Sequence, residues 1–157
     1  MTIHRYGPVL LDHFDVAITG AVPTNTIESG DAVAFVADKA IPAGVFTWSA
    51  DLATTQTNFA TAFLGISEGR SRAATTDVRD LRIPVNMDGV YEFDVAVAAA
   101  FNVGDYIGVA QVGATNFVQS KVVEVATAAR AIARVVRAAP AGSTKVVAAL
   151  INTIAKR

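Results

Sequence analysis

Two aspartates sit in matching settings, Glu28-Ser-Gly-Asp-Ala-Val-Ala-Phe-Val36 and Asn102-Val-Gly-Asp-Tyr-Ile-Gly-Val-Ala110. A pair of carboxylates can divide general-acid and general-base work. Asp31 and Asp105, however, each directly follow a glycine, Gly30 or Gly104, and each opens an apolar run. Glycine adopts φ > 0 without a Cβ clash, and aspartate caps a turn with its own carboxylate. The pair therefore reads as two turns that feed strands. His4 and His13 have no carboxylate at helical ligand spacing in a regular element, so no metal site is expected. No serine stands in a Gly-x-Ser-x-Gly elbow, and no histidine follows His13 to act as its base. Gly142-Ser-Thr-Lys145 has the residue types of a phosphate loop in the wrong order and reads as a turn. Arg70, Arg72, Arg79 and Arg82 form the one notable basic cluster; Asp77 and Asp80 interleave with it, as in a solvated, salt-bridged loop. Trp48 is a core or interface anchor. No catalytic residue and no cofactor is expected, and the chain reads as a non-enzyme.

The elements that hold these turns have an apolar composition. The chain has 157 residues, 52% hydrophobic and only 17% charged, where soluble domains carry roughly 25% charged residues. Thirteen basic residues balance 14 acidic ones, which leaves no field to attract nucleic acid or an anionic membrane. Cysteine is absent, which removes disulfides and thiolate chemistry and fits synthesis in a cytosol. The longest apolar run, Val95 to Phe101, is far below the ~18 residues of a membrane span, and the N-terminus lacks the order of a signal peptide. The surplus apolar surface is expected to meet other protein, in a homo-oligomer or a large contact surface.

Residues 1–26 show neither helical nor strand periodicity for long and read as an extended arm, with 27–157 as a β domain. His4, Tyr6, Val9, Leu10, Leu11, Phe14 and Ile18 are the arm's expected partner contacts, and the β body is expected to fold without them. Ile27–Val36 is expected to hold the first Gly-Asp turn and its strand, with further strands at Val45–Trp48, Leu64–Ser67, Leu81–Val85, Tyr91–Val95, after Gly104, at Lys121–Ala126 and at Lys145–Ile151, and a turn at Pro140–Ser143. Arg130, Arg134 and Arg137 fall at helical spacing within Thr127–Ala139, but the repeat register favours a strand at Ile132–Val136. Leu52, Phe59 and Phe63 fall at helical spacing behind an Asp51 or Thr54 cap, so one short helix is expected. Met87-Asp88-Gly89 between two alternating runs predicts a hairpin with Asp88 and Gly89 in its turn. Pro84 cannot donate a ladder hydrogen bond, which predicts a free edge or a bulge there. The chain also repeats. Phe63–Ser67 follows the first Gly-Asp turn as Ala131–Val135 follows the second, and Leu81–Val85 answers Lys145–Ala149. The fold class is all-β, a sandwich or barrel of two similar modules, with one short helix and an N-terminal arm.

The succession of the Gly30-Asp31 strand, Phe59–Ile66, Asp88-Gly-Val-Tyr-Glu-Phe93, Val103-Gly-Asp-Tyr-Ile-Gly108 and Ala131-Ile-Ala-Arg-Val135 resembles the small capsid cement, or decoration, proteins of tailed bacteriophages. The resemblance spans roughly Ile27 to Ile151, and Ala133 stands where relatives often have glycine. It implies a virion structural protein without catalysis. Such a protein binds the outer capsid surface, staples neighbouring major capsid protein subunits, and associates with itself as a trimer. The alternative is a small-ligand or carbohydrate-binding β domain of a phage tail or host surface.

Overall fold

The computed structural model describes residues 13–17, 27–36, 39–69 and 82–151. Their order is β1 (His13–Ala17), β2 (Ala32–Val36), β3 (Lys39–Pro42), α1 (Leu52–Ala62), β4 (Phe63–Ser67), β5 (Arg82–Asn86), β6 (Val90–Phe101), β7 (Tyr106–Val112), β8 (Asn116–Val125), β9 (Ala133–Arg137) and β10 (Ala139–Leu150). The all-β expectation with one short helix holds. One five-stranded sheet runs β1-β5-β4-β2-β3, and β10-β6-β8-β7-β9 close into a barrel.

The Gly-Asp turns are the same object built twice. Gly30 and Gly104 both have φ 100°. Asp31 Oδ2 accepts the Glu28 N–H at 2.8 Å, and Asp105 Oδ2 accepts the Asn102 N–H at 2.7 Å. The Gly30 N–H donates to Ser67 O at 2.7 Å and the Gly104 N–H to Val135 O at 2.9 Å. In return the Ser67 N–H donates to Asp31 O and the Val135 N–H to Asp105 O. Each turn thus locks its strand to the strand that carries Ser67 or Val135.

The repeat extends to all five strands of each module. Ala32 faces Ile66 as Tyr106 faces Arg134, and Val33 faces Gly65 as Ile107 faces Ala133. Ser67 faces Val85 as Val135 faces Ala148, so the last repeated strand is offset by one residue from the sequence expectation. Phe35 faces Ala40 as Val109 faces Val122. Phe14 faces Val85 as Tyr91 faces Ala148. β1 to β5 therefore match β6 to β10 one for one. Part of the expected arm is the first strand of the first repeat: His13-Phe-Asp-Val-Ala17 holds the register of Val90-Tyr-Glu-Phe-Asp94. Residues 1–12 and 18–26, with His4, Tyr6, Val9, Leu10, Leu11 and Ile18, lie outside the described residues.

The expected hairpin between β5 and β6 does not form. β5 lies between β1 and β4, while β6 lies between β10 and β8. Asp88 and Gly89 make a corner between modules: the Gly89 N–H donates to Asp88 Oδ1 at 2.7 Å, and Gly89 O accepts the Leu150 N–H at 2.9 Å. Both alternations are real, but they serve different cores. Ile83 and Val85 pack with Ile27, Val33, Ala40 and Leu64 inside the first sheet. Tyr91 and Phe93 pack with Ile107, Ile132, Val146 and Ala148 inside the barrel. Pro84 sits in an interior strand, on the side where the β4 ladder stops at Ser67 and the Glu68 N–H reaches Pro84 O. The missing donor falls beyond the ladder's end. Two further expectations shift. Val45–Trp48 is not a strand, since the chain forms β3 and then a 3₁₀ turn at Ala43–Val45. Pro140–Ser143 lies within β10, which absorbs it through register shifts at Ser143.

The modules differ in closure and in one insertion. β6 and β8 pair in parallel (Asp94 with Lys121, Val95 with Val122) and shut the barrel. Among the described residues β1 and β3 form no such ladder, although their Cα atoms come within 8 Å. α1 lies between β3 and β4, where the second module has only a 3₁₀ turn, Ala128–Arg130. Its N-cap is Asp51, whose carboxylate accepts the Thr54 N–H at 2.7 Å. That bond holds the Asp51 pKa below the usual carboxylate range, so its capping contribution is lost only as pH falls through the lowered value. Gln56 is buried and donates to Val109 O at 3.0 Å, where β7 shifts register against β8. Phe59 packs edge-on to Phe117 of the barrel, and Trp48 also meets Phe117. Both modules share one core through this helix.

Gly65→Ala is expected to destabilise more than Gly104→Ala. A Cβ on Gly65 would lie 1.9 Å from Asn86 O, whereas one on Gly104 first meets the movable Arg134 Nη2 at 3.3 Å. The first should cost about 3 kcal/mol or more as overpacking, the second roughly 1–2 kcal/mol as backbone strain; urea unfolding would rank them. Removing residues 1–26 takes β1 away from β5, so the body is expected to melt at a lower temperature, contrary to the independence the sequence suggests. Calorimetry of chains starting at residue 13 and residue 27 tests this, and equal melting temperatures would show that β1 contributes nothing.

Candidate contact surface

The turn residues singled out in the sequence are structural. Asp31 is buried and tied to the backbone, and Asp105 repeats its bonds. Among the described residues no group of three or more His, Cys, Asp or Glu side chains could hold a metal ion. Arg70, Arg72, Arg79, Asp77 and Asp80 lie outside the described residues. Lys145, at the end of the phosphate-loop look-alike, donates to Glu92 Oε1 at 3.0 Å and lies 3.5 Å from Asp94 Oδ1. The bond to Glu92, and then the charges of Glu92 and Asp94, raise its pKa, so it stays cationic through the neutral range. Phe14, an expected partner contact, belongs to β1.

An exposed apolar face appears elsewhere, at one end of the barrel. β6 alternates buried and half-buried residues up to Val95; Ala96, Val97 and Ala98 are then exposed in succession. Val97 is 68% exposed and Val103, in the following turn, 66%. The outer half of β6 has one ladder partner among the described residues, the start of β10: Ala139 faces Phe101 and Ser143 faces Ala99. On its other side the pairing with β8 ends at Val95. Neither 95–104 nor 138–144 contains an Asp, Glu, Lys or Arg. Single exposed valines are ordinary, but a charge-free two-stranded ribbon whose β6 edge is unpaired among the described residues is the kind of surface that monomeric proteins guard with charged residues.

Sequence reasoning missed this face, although its signal was there. Val95–Phe101 is the longest apolar run of the chain, too short for a membrane span and too long for the alternation of a half-buried strand. Its small residues, four of seven being alanine, fit a surface as well as a core, so its length and lack of charge were the available signal. Near the face, Arg134 is anchored by its bond to Gly104 O at 3.0 Å and by stacking over the Tyr106 ring at 5.5 Å. The turn that carries Val103 is thereby held in place. No helix among the described residues is long and apolar enough to cross a membrane. No protein-family model, no curated protein and no solved structure matches the chain.

Proposed function

We propose that the chain is a virion structural protein of the cement type, which binds the outer surface of a capsid shell and joins neighbouring major capsid protein subunits, as a homotrimer. The observation that carries this reading is the charge-free β6–β10 face on a body of two joined β modules. Stapling a shell against internal pressure requires contact area rather than reactive groups, and the exposed, charge-free ribbon offers apolar surface for it. Burial of apolar surface contributes roughly 25 cal/mol per Å², so small apolar residues over a broad face can supply the binding energy with little side-chain entropy to lose. Residues 1–12, with His4, Tyr6, Val9, Leu10 and Leu11, are proposed to extend that contact beyond the body.

Mass spectrometry of purified particles should detect the chain, and co-sedimentation measures its occupancy. Val97→Glu combined with Val103→Glu is expected to lower the bound fraction at least tenfold while circular dichroism stays unchanged. Val112→Glu, at the tip of the β7–β8 hairpin, serves as the control. Unchanged occupancy in the double variant would remove the β6–β10 face from the contact. A stable monomer at micromolar concentration in sedimentation, both free and on particles, would exclude the trimer.

A further inference from the structure

Beside the charge-free face, the connection from β9 into β10 folds over a recess of about 260 Å³ walled by Glu92, Arg137, Pro140, Ser143, Lys145 and Val147. Register shifts on both sides of Ser143, and another between Val147 and Ala148, interrupt the β10 ladders around it. Bulges of this kind re-aim side chains at barrel rims. The charges lining the recess are unevenly matched. Lys145 has two carboxylates, Glu92 and Asp94, whereas the Arg137 guanidinium has no ion pair or hydrogen bond with any described residue. Arg137 directly precedes the uncharged stretch 138–144.

We propose that this recess is a socket for a carboxylate side chain of the shell protein, with Arg137 as its counter-charge. The inference rests on the proposed covering of the β6–β10 face by that partner. Covering the face removes water from Arg137, and a desolvated guanidinium without an acceptor is strongly unfavourable. Glu92 does not fill the role because it is bound to Lys145. The planar fork of arginine matches a carboxylate bidentately. The recess is smaller than the roughly 300–1,000 Å³ of pockets for drug-sized ligands, and an aspartate or glutamate side chain is a better match in size. Phosphate suits it less, since a second negative charge would meet Glu92 in the wall of the recess. In this arrangement the apolar face supplies adhesion and the socket fixes orientation.

Two measurements separate the socket from the shell reading. The full chain is titrated with N-acetyl-glutamate methylamide and with its glutamine analogue, with NMR following the Arg137 Nε–H and the Ser143 amide. A saturable shift is expected with the glutamate probe alone, weakened at least fivefold by Arg137→Gln and partly retained by Arg137→Lys. An equal response to both probes, no response to either, or a stronger response to inorganic phosphate overturns the carboxylate socket. On particles, Arg137→Glu is expected to lower the bound fraction at least tenfold, and Ala53→Glu on the exposed side of α1 to leave it unchanged. Equal binding by Arg137→Glu overturns the socket's role in docking. An unaltered chain that does not sediment with particles overturns the shell reading, and the titration then judges the socket on its own.

Discussion

The fold depends on a small hydrogen-bonded clasp that occurs twice. A glycine at positive φ lets the chain reverse, the next aspartate folds its carboxylate back onto the N–H three residues earlier, and the backbone on either side exchanges two bonds with a strand more than thirty residues later. Because side chains alternate along a strand, a slip of one residue would turn every apolar side chain to the wrong face. The clasp fixes the starting register of β2 against β4 and of β7 against β9. The rest of each module follows from that register, including the placement of Ile83 and Val85 in one core and of Tyr91 and Phe93 in the other.

Two copies of one module do not yet make one body. They join because α1, present only in the first copy, buries Phe59 and Gln56 against the second. All of β4 is buried as a consequence, since it has the first core on one face and the helix and barrel on the other. The register shift between Val33 and Ala34 lets Phe63 and Ile66 both join the shared core, while Leu64 stays in the first. Closure is unequal. The second module is sealed by the parallel β6–β8 pairing, whereas the strands β1 and β3 of the first come close together with no ladder among the described residues. Strand edges that are unpaired in this way open first when a protein unfolds locally.

The surface has a corresponding division of labour. The barrel carries the apolar ribbon, the anchored Val103 turn and the Arg137 recess within one short region, all on the closed module. The ribbon itself lies past the end of the β6–β8 pairing at Val95, so it extends from the closed wall with one edge unpaired among the described residues. The same region sets exposed apolar side chains, whose attraction is non-directional, beside a guanidinium with no ion pair among the described residues, whose attraction is directional. Specific docking requires both kinds of interaction.

Much of this was legible in the chain. The Gly-Asp turns and the Asp51-capped helix follow from local chemistry, since φ freedom and capping act between near neighbours; the strand in the alanine- and arginine-rich segment before Pro140 follows only from the repeat, because its arginines fall at helical spacing. Tertiary structure decided three things that local chemistry could not. Whether the alternating runs beside Asp88-Gly89 pair with each other depends on which core each can reach, and they reach different ones. Whether His13–Ala17 is an arm or a strand depends on β5, almost seventy residues later, because a short segment with broken periodicity gains its order from a partner's ladder. Whether Val95–Phe101 is core or surface depends on where β8 leaves β6, since a run of alanine and valine can line an interior or a contact face equally well until its neighbours are set.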